Sequence, residues 1–329
     1  ASAGNDHRLG ANEAPPAVVS IFLGDELTEI LDAIENGDAY EGKEKTIMKV
    51  GVHILPRFPK DTTDRNRTSP FAFTGNKFEF RMLGSSMSIS DANVVINTAV
   101  AESLCSFADE LEGVENFNES LHKLIQRTIK EHKRIIFNGN GYGDEWLEEA
   151  KKRGLSNYRT TPECLSHFLD EKNIALFTKY KVFNETEMRA RYEIMLETYA
   201  KVLRIEALTM LDMADKDILP AASSFAGKLA DTLVAKKDAL KGVDCTYEEK
   251  VLEKLSSLIG EMYNRKESLE KALEEINIVK GAQKKADFYR ENIFACMEKL
   301  RESADAIEQI TDRSFWPYPS YADLLFGVR

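Results

Sequence analysis

The sequence predicts a short α+β segment followed by an all-α helical bundle, so that the chain as a whole is predominantly helical. Two observations support this fold class. Strand-like runs occur before residue 112, and from residue 113 onward apolar side chains recur every three or four positions, as in amphipathic helices. A length of 329 residues, at roughly 100–200 residues per domain, predicts two domains, 1–112 and 113–329.

The first segment begins with a predicted strand, a helix and a second strand. Residues 17–23 and 46–55 are short apolar runs rich in β-branched side chains, which is typical of strands. Between them, Asp25 can cap a helix whose apolar stripe stops at Asn36-Gly37, a pair that favours the end of a helix.

Residues 76–82 alternate between apolar and charged side chains, which predicts a strand with two different faces. One face carries Phe78, Phe80 and Met82, and the other carries Lys77, Glu79 and Arg81. The next segment, about residues 90–110, has apolar positions at helical spacing. We expect this helix to cover the sheet.

The second domain is predicted to be a bundle of amphipathic helices. Its two longest apolar stripes are formed by Leu252, Leu255, Ile259, Met262, Leu269, Leu273 and Ile276, and then by Ile293, Met297, Leu300, Ala304 and Ile307. We expect these two helices to be antiparallel partners joined around Lys280-Gly281. The aromatic, proline-rich tail at 315–321 is expected to dock against the protein. His132, on an earlier stripe, is predicted to be a packed core histidine.

The composition excludes several classes of partner. Lys and Arg number 44 and Asp and Glu 55, and the net charge of −11 at pH 7 opposes a phosphate backbone, so no nucleic acid is expected. No run of about 18 apolar residues occurs, and residues 1–6 lack the pattern of a signal peptide. We therefore expect no membrane partner and a cytoplasmic localisation. The four cysteines are far apart in the sequence, which favours reduced thiols in the core.

The charged face at Lys77, Glu79 and Arg81 has two interpretations. It could be a surface strand with a weak ladder of ion pairs. Alternatively, it could bind an anionic substrate with a divalent metal, because a carboxylate is a hard oxygen ligand and cationic side chains bind carboxylate and phosphate oxygens. The glycine-rich residues 138–144 look like a phosphate loop but follow a helix rather than a strand, which favours a structural connection.

Three motifs resemble those of the glutamine synthetases, and they occur in the family's order. Residues 7–15, HRLGANEAP, resemble the family's R-L…E-A-P stretch. Residues 65–69, RNRTS, are similar to its R-N-R-S segment, and residues 77–81, KFEFR, to its R-I-E-x-R strand. The sequence variant HRLGANEAPP and the large helical region that follows most resemble the bacterial type III enzymes.

This resemblance implies an ATP-dependent ligase that forms glutamine from glutamate, ammonia and ATP through a γ-glutamyl phosphate, with a divalent metal, Mg or Mn. It implies that Arg8 and Arg81 bind the glutamate carboxylates. Arg67 and Lys77 would contact the nucleotide or the transferring phosphate, and Glu79 would be a metal ligand.

The resemblance also assigns catalytic roles to Arg67 and to Glu13, the carboxylate of a flap that closes the site and helps ammonium lose its proton. Such shielding suits an acyl phosphate that water would hydrolyse. About fifty residues separate Pro15 from Arg65 where other branches have a short link, so the strands and helix within about residues 17–60 resemble an insertion. The family has a further arginine five residues after the one matched by Arg67, and in this sequence that position is Ala72.

The family's N-terminal domain and most of its metal ligands have no counterpart here, which leads us to expect the C-terminal half of a glutamine synthetase. Residues 1–112 would then be a remnant of the catalytic domain. We expect this chain to be inactive alone, to need the missing N-terminal half, and to form a large homo-oligomer when full length. The alternative is a non-catalytic helical scaffold, in which residues 113–329 mediate assembly.

Overall fold

A computed structural model describes residues 6, 16–38, 69–84 and 87–327. The chain forms two compact units, Ala1–Tyr192 and Glu193–Arg329. The domain boundary that the sequence predicts at residue 112 lies inside the first unit, and it stays a prediction. The structure is predominantly helical with a small sheet, as expected for the bundle.

Three short strands form the sheet of the first unit, in the order β1-β2-β3. They are β1 (Ile21–Phe22), β2 (Phe71–Phe73) and β3 (Phe78–Phe80). β1 pairs parallel with β2, and β2 pairs antiparallel with β3. Gly75, with φ of +98°, supplies the left-handed conformation in the β2–β3 hairpin turn. Strands are thus confirmed within 17–23 and 76–82, whereas the predicted strand at 46–55 lies outside the described residues.

Six helices of the first unit lie in the described part of the chain. They are α1 (Asp25–Asn36), α2 (Ser90–Leu111), α3 (Phe117–His132), α4 (Asp144–Lys152), α5 (Thr161–Ser166) and α6 (Glu171–Lys179). The predicted end of α1 is confirmed, whereas the predicted cap is wrong, because Gly24 is the N-cap and Asp25 is the first residue of the helix. Gly37 adopts the left-handed conformation and donates its backbone N–H to the last turn of the helix.

Helix α2 packs mainly against α3 and α6 in the described residues, and the expectation that it covers the sheet stays a prediction. Two ion pairs lie at these contacts. Arg127 of α3 donates two hydrogen bonds, of 2.9 and 2.7 Å, to the Glu110 carboxylate, and Lys179 of α6 lies 2.7 Å from Glu102. His132 was expected in the core, but its side chain is 64% exposed because it ends α3, where a cationic or polar side chain suits the helix C-terminus.

The core of the first unit near β1 is built around Trp146, which is 1% exposed. The ring of Phe137 stacks on it at 3.9 Å between centroids. Next to Phe137, the Asn138 side chain accepts hydrogen bonds from the backbone N–H groups of Leu23 and Gly24, at 3.0 and 3.1 Å. The glycine-rich stretch after Asn138 leads directly into α4, which agrees with its interpretation as a structural connection.

The second unit is entirely helical in the described residues. Helix α7 (Glu185–Met213) begins in the first unit and continues into the second. The other helices of the second unit are α8 (Leu219–Ala239), α9 (Thr246–Glu275), α10 (Ala282–Phe288), α11 (Ala295–Glu308) and α12 (Tyr321–Phe326). Short π-helical segments, Ala214–Ile218 and Tyr289–Phe294, join α7 to α8 and α10 to α11. None of the helices in the ranges above is long and apolar enough to span a bilayer.

Helices α9 and α11 are antiparallel partners, as the sequence predicts. Arg265 of α9 contacts Lys299 and Glu302 of α11, whereas Ser268, further along α9, lies near Cys296. The facing core residues repeat every seven positions and are at most 4% exposed: Leu255, Met262, Leu269 and Ile276 on one side, and Ile293, Leu300 and Ile307 on the other. The connection turns at Gly281, where φ is +92°.

The C-terminal tail docks on the second unit, which confirms the expectation from its composition. The Phe315 ring contacts Phe225 of α8 at 5.5 Å between centroids. The Tyr318 hydroxyl donates a 3.0 Å hydrogen bond to the Asp217 carboxylate. The described cysteines are free thiols, and Cys245 is the buried one among them.

Docking of this tail is expected to weaken at alkaline pH. Burial and the hydrogen bond to Asp217 raise the pKa of Tyr318 to about 12, from an ordinary value of about 10. A raised pKa means that the stabilisation is complete below about pH 10 and is lost as the pH rises toward 12. The free energy of unfolding should therefore fall more steeply across this range in the wild type than in Tyr318→Phe. Equal pH profiles would contradict the assignment.

Candidate functional site

Strand β3 and its flanks place three charged side chains on one face of the sheet. Glu79 lies between two cations, with Lys77 Nζ 3.4 Å from Oε1 and an Arg81 guanidinium nitrogen 3.1 Å from Oε2. The side chain of Arg81 is 15% exposed and that of Lys77 66% exposed, so the arginine is the more enclosed cation. The period-two alternation predicted from the sequence is confirmed on this face.

The opposite face of the hairpin is aromatic. The Phe71 ring lies 5.5 Å from Phe78 and 6.1 Å from Phe80, and Phe73 lies 5.3 Å from Phe78, all between centroids. Aromatic pairs across an antiparallel ladder stabilise the strand pairing. These contacts hold β3 in the register that directs Glu79 and its neighbours to the charged face.

The two cations control the ionisation of Glu79. The hydrogen bond from Arg81 is the largest influence and lowers the pKa of the Glu79 carboxyl. Burial is the next largest influence and raises this pKa, and the hydrogen bond from Lys77 lowers it again. The carboxylate is therefore ionised throughout the neutral range. Its two oxygens are each aligned with one cation, which gives the face an alternating plus, minus, plus pattern.

This arrangement suits recognition of an anion more than a metal ion held by these residues alone. The described residues contain no group of three or more His, Cys, Asp or Glu side chains placed to hold a metal. Glu79 is a single carboxylate flanked by two cations, so the described residues do not fit a divalent metal without ligands from elsewhere.

The other predicted site residues, Arg8, Glu13 and Arg67, lie outside the described residues. Close to Arg8 in the sequence, Asp6 is fixed to α5. Its carboxylate Oδ1 accepts hydrogen bonds from the backbone N–H and the hydroxyl of Thr161, at 2.7 and 2.6 Å, and Thr161 is 2% exposed. The structure therefore attaches the chain two residues before Arg8 to the helical region.

The Asp6–Thr161 contact does not follow from the sequence alone. The only available signal was the start of α5, where Thr160 caps the helix by accepting a hydrogen bond from the Glu163 backbone N–H. A cap predicts where a helix begins, but it does not reveal which distant carboxylate binds there.

Removing the Thr161 hydroxyl should destabilise the first unit. Thr161→Val leaves the Asp6 carboxylate with one fewer donor, and a hydrogen bond to a charged group contributes about 1.5–3 kcal/mol. We expect a loss of about that size in the free energy of unfolding by urea, and recovery in Thr161→Ser, which keeps the hydroxyl. In an Asp6→Ala background, the same Thr161→Val change should have a much smaller effect. Additive effects of the two changes would argue against the contact.

Comparison with known proteins decides the family. A model of the glutamine synthetase C-terminal domain matches residues 120–237. A glutamine synthetase of Butyrivibrio fibrisolvens is 40% identical over 341 residues, an alignment that covers 100% of this chain and 47% of that protein. The chain belongs to the glutamine synthetase family. The family resemblance of the three sequence motifs is thereby confirmed.

Other glutamine synthetases give the same result. The type-3 glutamine synthetase of Dictyostelium discoideum is 37% identical over 334 residues, covering 98% of this chain and 45% of that protein. A glutamine synthetase of Bacteroides fragilis is 38% identical over 339 residues, with coverage of 99% and 46%. This glutamine synthetase chain thus spans about half the length of the relatives it matches. The charged face of β3 precedes the region matched by the C-terminal domain model.

Proposed function

We propose that this chain is the C-terminal half of a longer glutamine synthetase polypeptide and supplies substrate-binding residues to its active site. The longer protein would form glutamine from glutamate, ammonia and ATP through a γ-glutamyl phosphate. The observation that carries the proposal is the charged face of β3, in a chain that is similar to glutamine synthetases over its whole length.

Arg81 is the residue best placed to bind a substrate carboxylate. Its planar guanidinium can donate two parallel hydrogen bonds, and its enclosure limits competition from water. Glu79 holds this guanidinium from one side, which orients it. Arg8 would bind the second carboxylate of glutamate.

Lys77, with Arg67, would neutralise phosphate oxygens during transfer, since phosphoryl transfer depends on cations that stabilise charge on those oxygens. Lys77 is the more exposed cation of β3 and can reorient toward a nucleotide. Glu13 would close over the site, exclude water from the acyl phosphate and accept a proton from ammonium. ATP and a divalent metal, Mg or Mn, would need residues of the N-terminal half, with Glu79 contributing one oxygen to the metal.

A second candidate function is a non-catalytic helical scaffold, and one observation favours it. Helix α7 has apolar side chains on the side away from its buried stripe, among them Ile194, Ile205 and Leu208, which are 61%, 65% and 45% exposed. Such a stripe suits association with another protein surface. We propose that it contributes to the large homo-oligomer of the full-length, cytoplasmic protein rather than replacing its catalytic function.

The two candidate functions can be separated by assaying the full-length polypeptide and this chain alone with glutamate, ammonia, ATP and Mg or Mn. We expect glutamine formation by the full-length protein, with transfer of ¹⁸O from the glutamate γ-carboxylate into phosphate, and no activity of the isolated chain. Glutamine formation without this ¹⁸O transfer would reject the acyl phosphate. A full-length protein that assembles but forms no glutamine would support the scaffold.

A further inference from the structure

Helix α2 has an unusual composition for a helix that is largely exposed. From residue 92 to residue 108 it carries a single charged side chain, Glu102. That side chain is engaged by Lys179 of α6. Helices that face water normally carry charged side chains on the exposed side, whereas helices that are apolar on all sides are buried in larger structures.

One side of α2 is anchored to its neighbours. The hydrogen bonds from Arg127 to Glu110 and the ion pair of Lys179 with Glu102 attach it to α3 and α6. Thr98 is the residue of α2 that the described structure buries, at 6% exposed.

The opposite side is what we call the open face of α2, formed by Val100, Ala101, Leu104 and Ala108. Their spacing of one, three and four residues places them on one side of the helix. Val100 is 49% exposed and Leu104 60% exposed, and both alanines are exposed.

The position of α2 in the sequence indicates what covers this face. The C-terminal domain model begins at residue 120, so α2 and β3 belong to the preceding part of the protein. The relatives align with essentially all of this chain, yet the chain spans 45–47% of their length. The aromatic face of β3 is also incompletely covered, with Phe78 49% exposed. Two incompletely covered apolar surfaces thus lie in the same segment of the sequence, before the C-terminal domain.

We infer that the open face of α2 is buried by polypeptide from the N-terminal half of the full-length protein. The inference rests on the proposed function, because it requires this chain to be the C-terminal half. The absence of charge suits permanent burial, as in the core of a domain, better than a surface that is exposed between encounters. The open face is therefore an internal docking surface that joins the two halves of one protein.

The test measures thiol accessibility at the open face. Val100→Cys and the control Val234→Cys, a valine of α8 that is 59% exposed, are each introduced into the full-length protein and into this chain alone. Modification by a maleimide is followed at each site by peptide mass spectrometry, so that the native cysteines do not interfere. At Val100→Cys we expect labelling at least about 10-fold slower in the full-length protein than in the chain alone, with the control changing less than about 2-fold.

Equal labelling rates at Val100→Cys in the two proteins would overturn the inference. Slow labelling in the isolated chain that becomes faster on dilution would also overturn it, because a second copy would then be the occupant. Glutamine formation by the same full-length sample is measured in parallel. An active protein with an accessible Val100→Cys thiol rejects only the docking surface, whereas a protected thiol in an inactive protein rejects only the proposed function.

Discussion

Replacing Arg81 by alanine in the full-length protein is expected to lower kcat/KM for glutamate by about 10–10²-fold, because a hydrogen bond to a charged group contributes about 1.5–3 kcal/mol. The change removes the guanidinium that would bind a substrate carboxylate and also releases Glu79 from its closest cation. Steady-state kinetics with varied glutamate at saturating ATP measure the effect. Arg81→Lys should recover part of the activity, because it restores the charge without the planar fork.

Arg127→Ala provides the matched control for this experiment. Arg127 also forms a two-point contact with a carboxylate, that of Glu110, but it lies between α2 and α3 and away from β3. Its removal should leave kcat/KM within about 2-fold of the wild type, as expected for an exposed ion pair. If Arg81→Ala retained full activity, the charged face of β3 would be a structural ion-pair ladder and the assigned site would be wrong.

The second large effect is expected in the bundle. Leu300 of α11 is 1% exposed and faces the core residues of α9, so Leu300→Ala should leave a cavity and lower the free energy of unfolding by about 2–5 kcal/mol. Urea denaturation followed by circular dichroism measures this loss. Leu240→Ala deletes the same atoms at a side chain that is 63% exposed, and it should change stability by less than about 0.5 kcal/mol. Similar losses in both variants would contradict the proposed core.

Local sequence signals were sufficient for several parts of the fold. The end of α1 follows from Gly37, whose left-handed conformation ends the helix. The antiparallel pair α9 and α11 follows from apolar residues that keep one helical stripe over many turns. The charged face of β3 follows from simple alternation. In each case the deciding interaction joins residues close in the sequence or repeated regularly along it.

Other parts could not be derived in this way. Helix α2 carries few charged side chains, so its stripe does not specify a single neighbour, and the sequence does not predict its contacts with α3 and α6. The contact between Asp6 and Thr161 joins residues 155 positions apart through one carboxylate oxygen, and no periodic pattern reports it. The alternation along β3 predicts charged neighbours for Glu79, but only the structure reveals that Arg81 is the more enclosed of its two cations.

The core residues of α9 and α11 repeat every seven positions. Apolar contacts alone therefore do not fix the register of one helix against the other. A shift of α11 along α9 by one repeat would bring Leu300 opposite another residue of the same kind, with a similar apolar seam. The short connection that turns at Gly281 restricts such a shift, and polar contacts add to the selection of one position. Arg265, which reaches both the Lys299 carbonyl and Glu302, makes contacts that such a shift would break. Arg265 therefore helps to fix the register of α11 against α9.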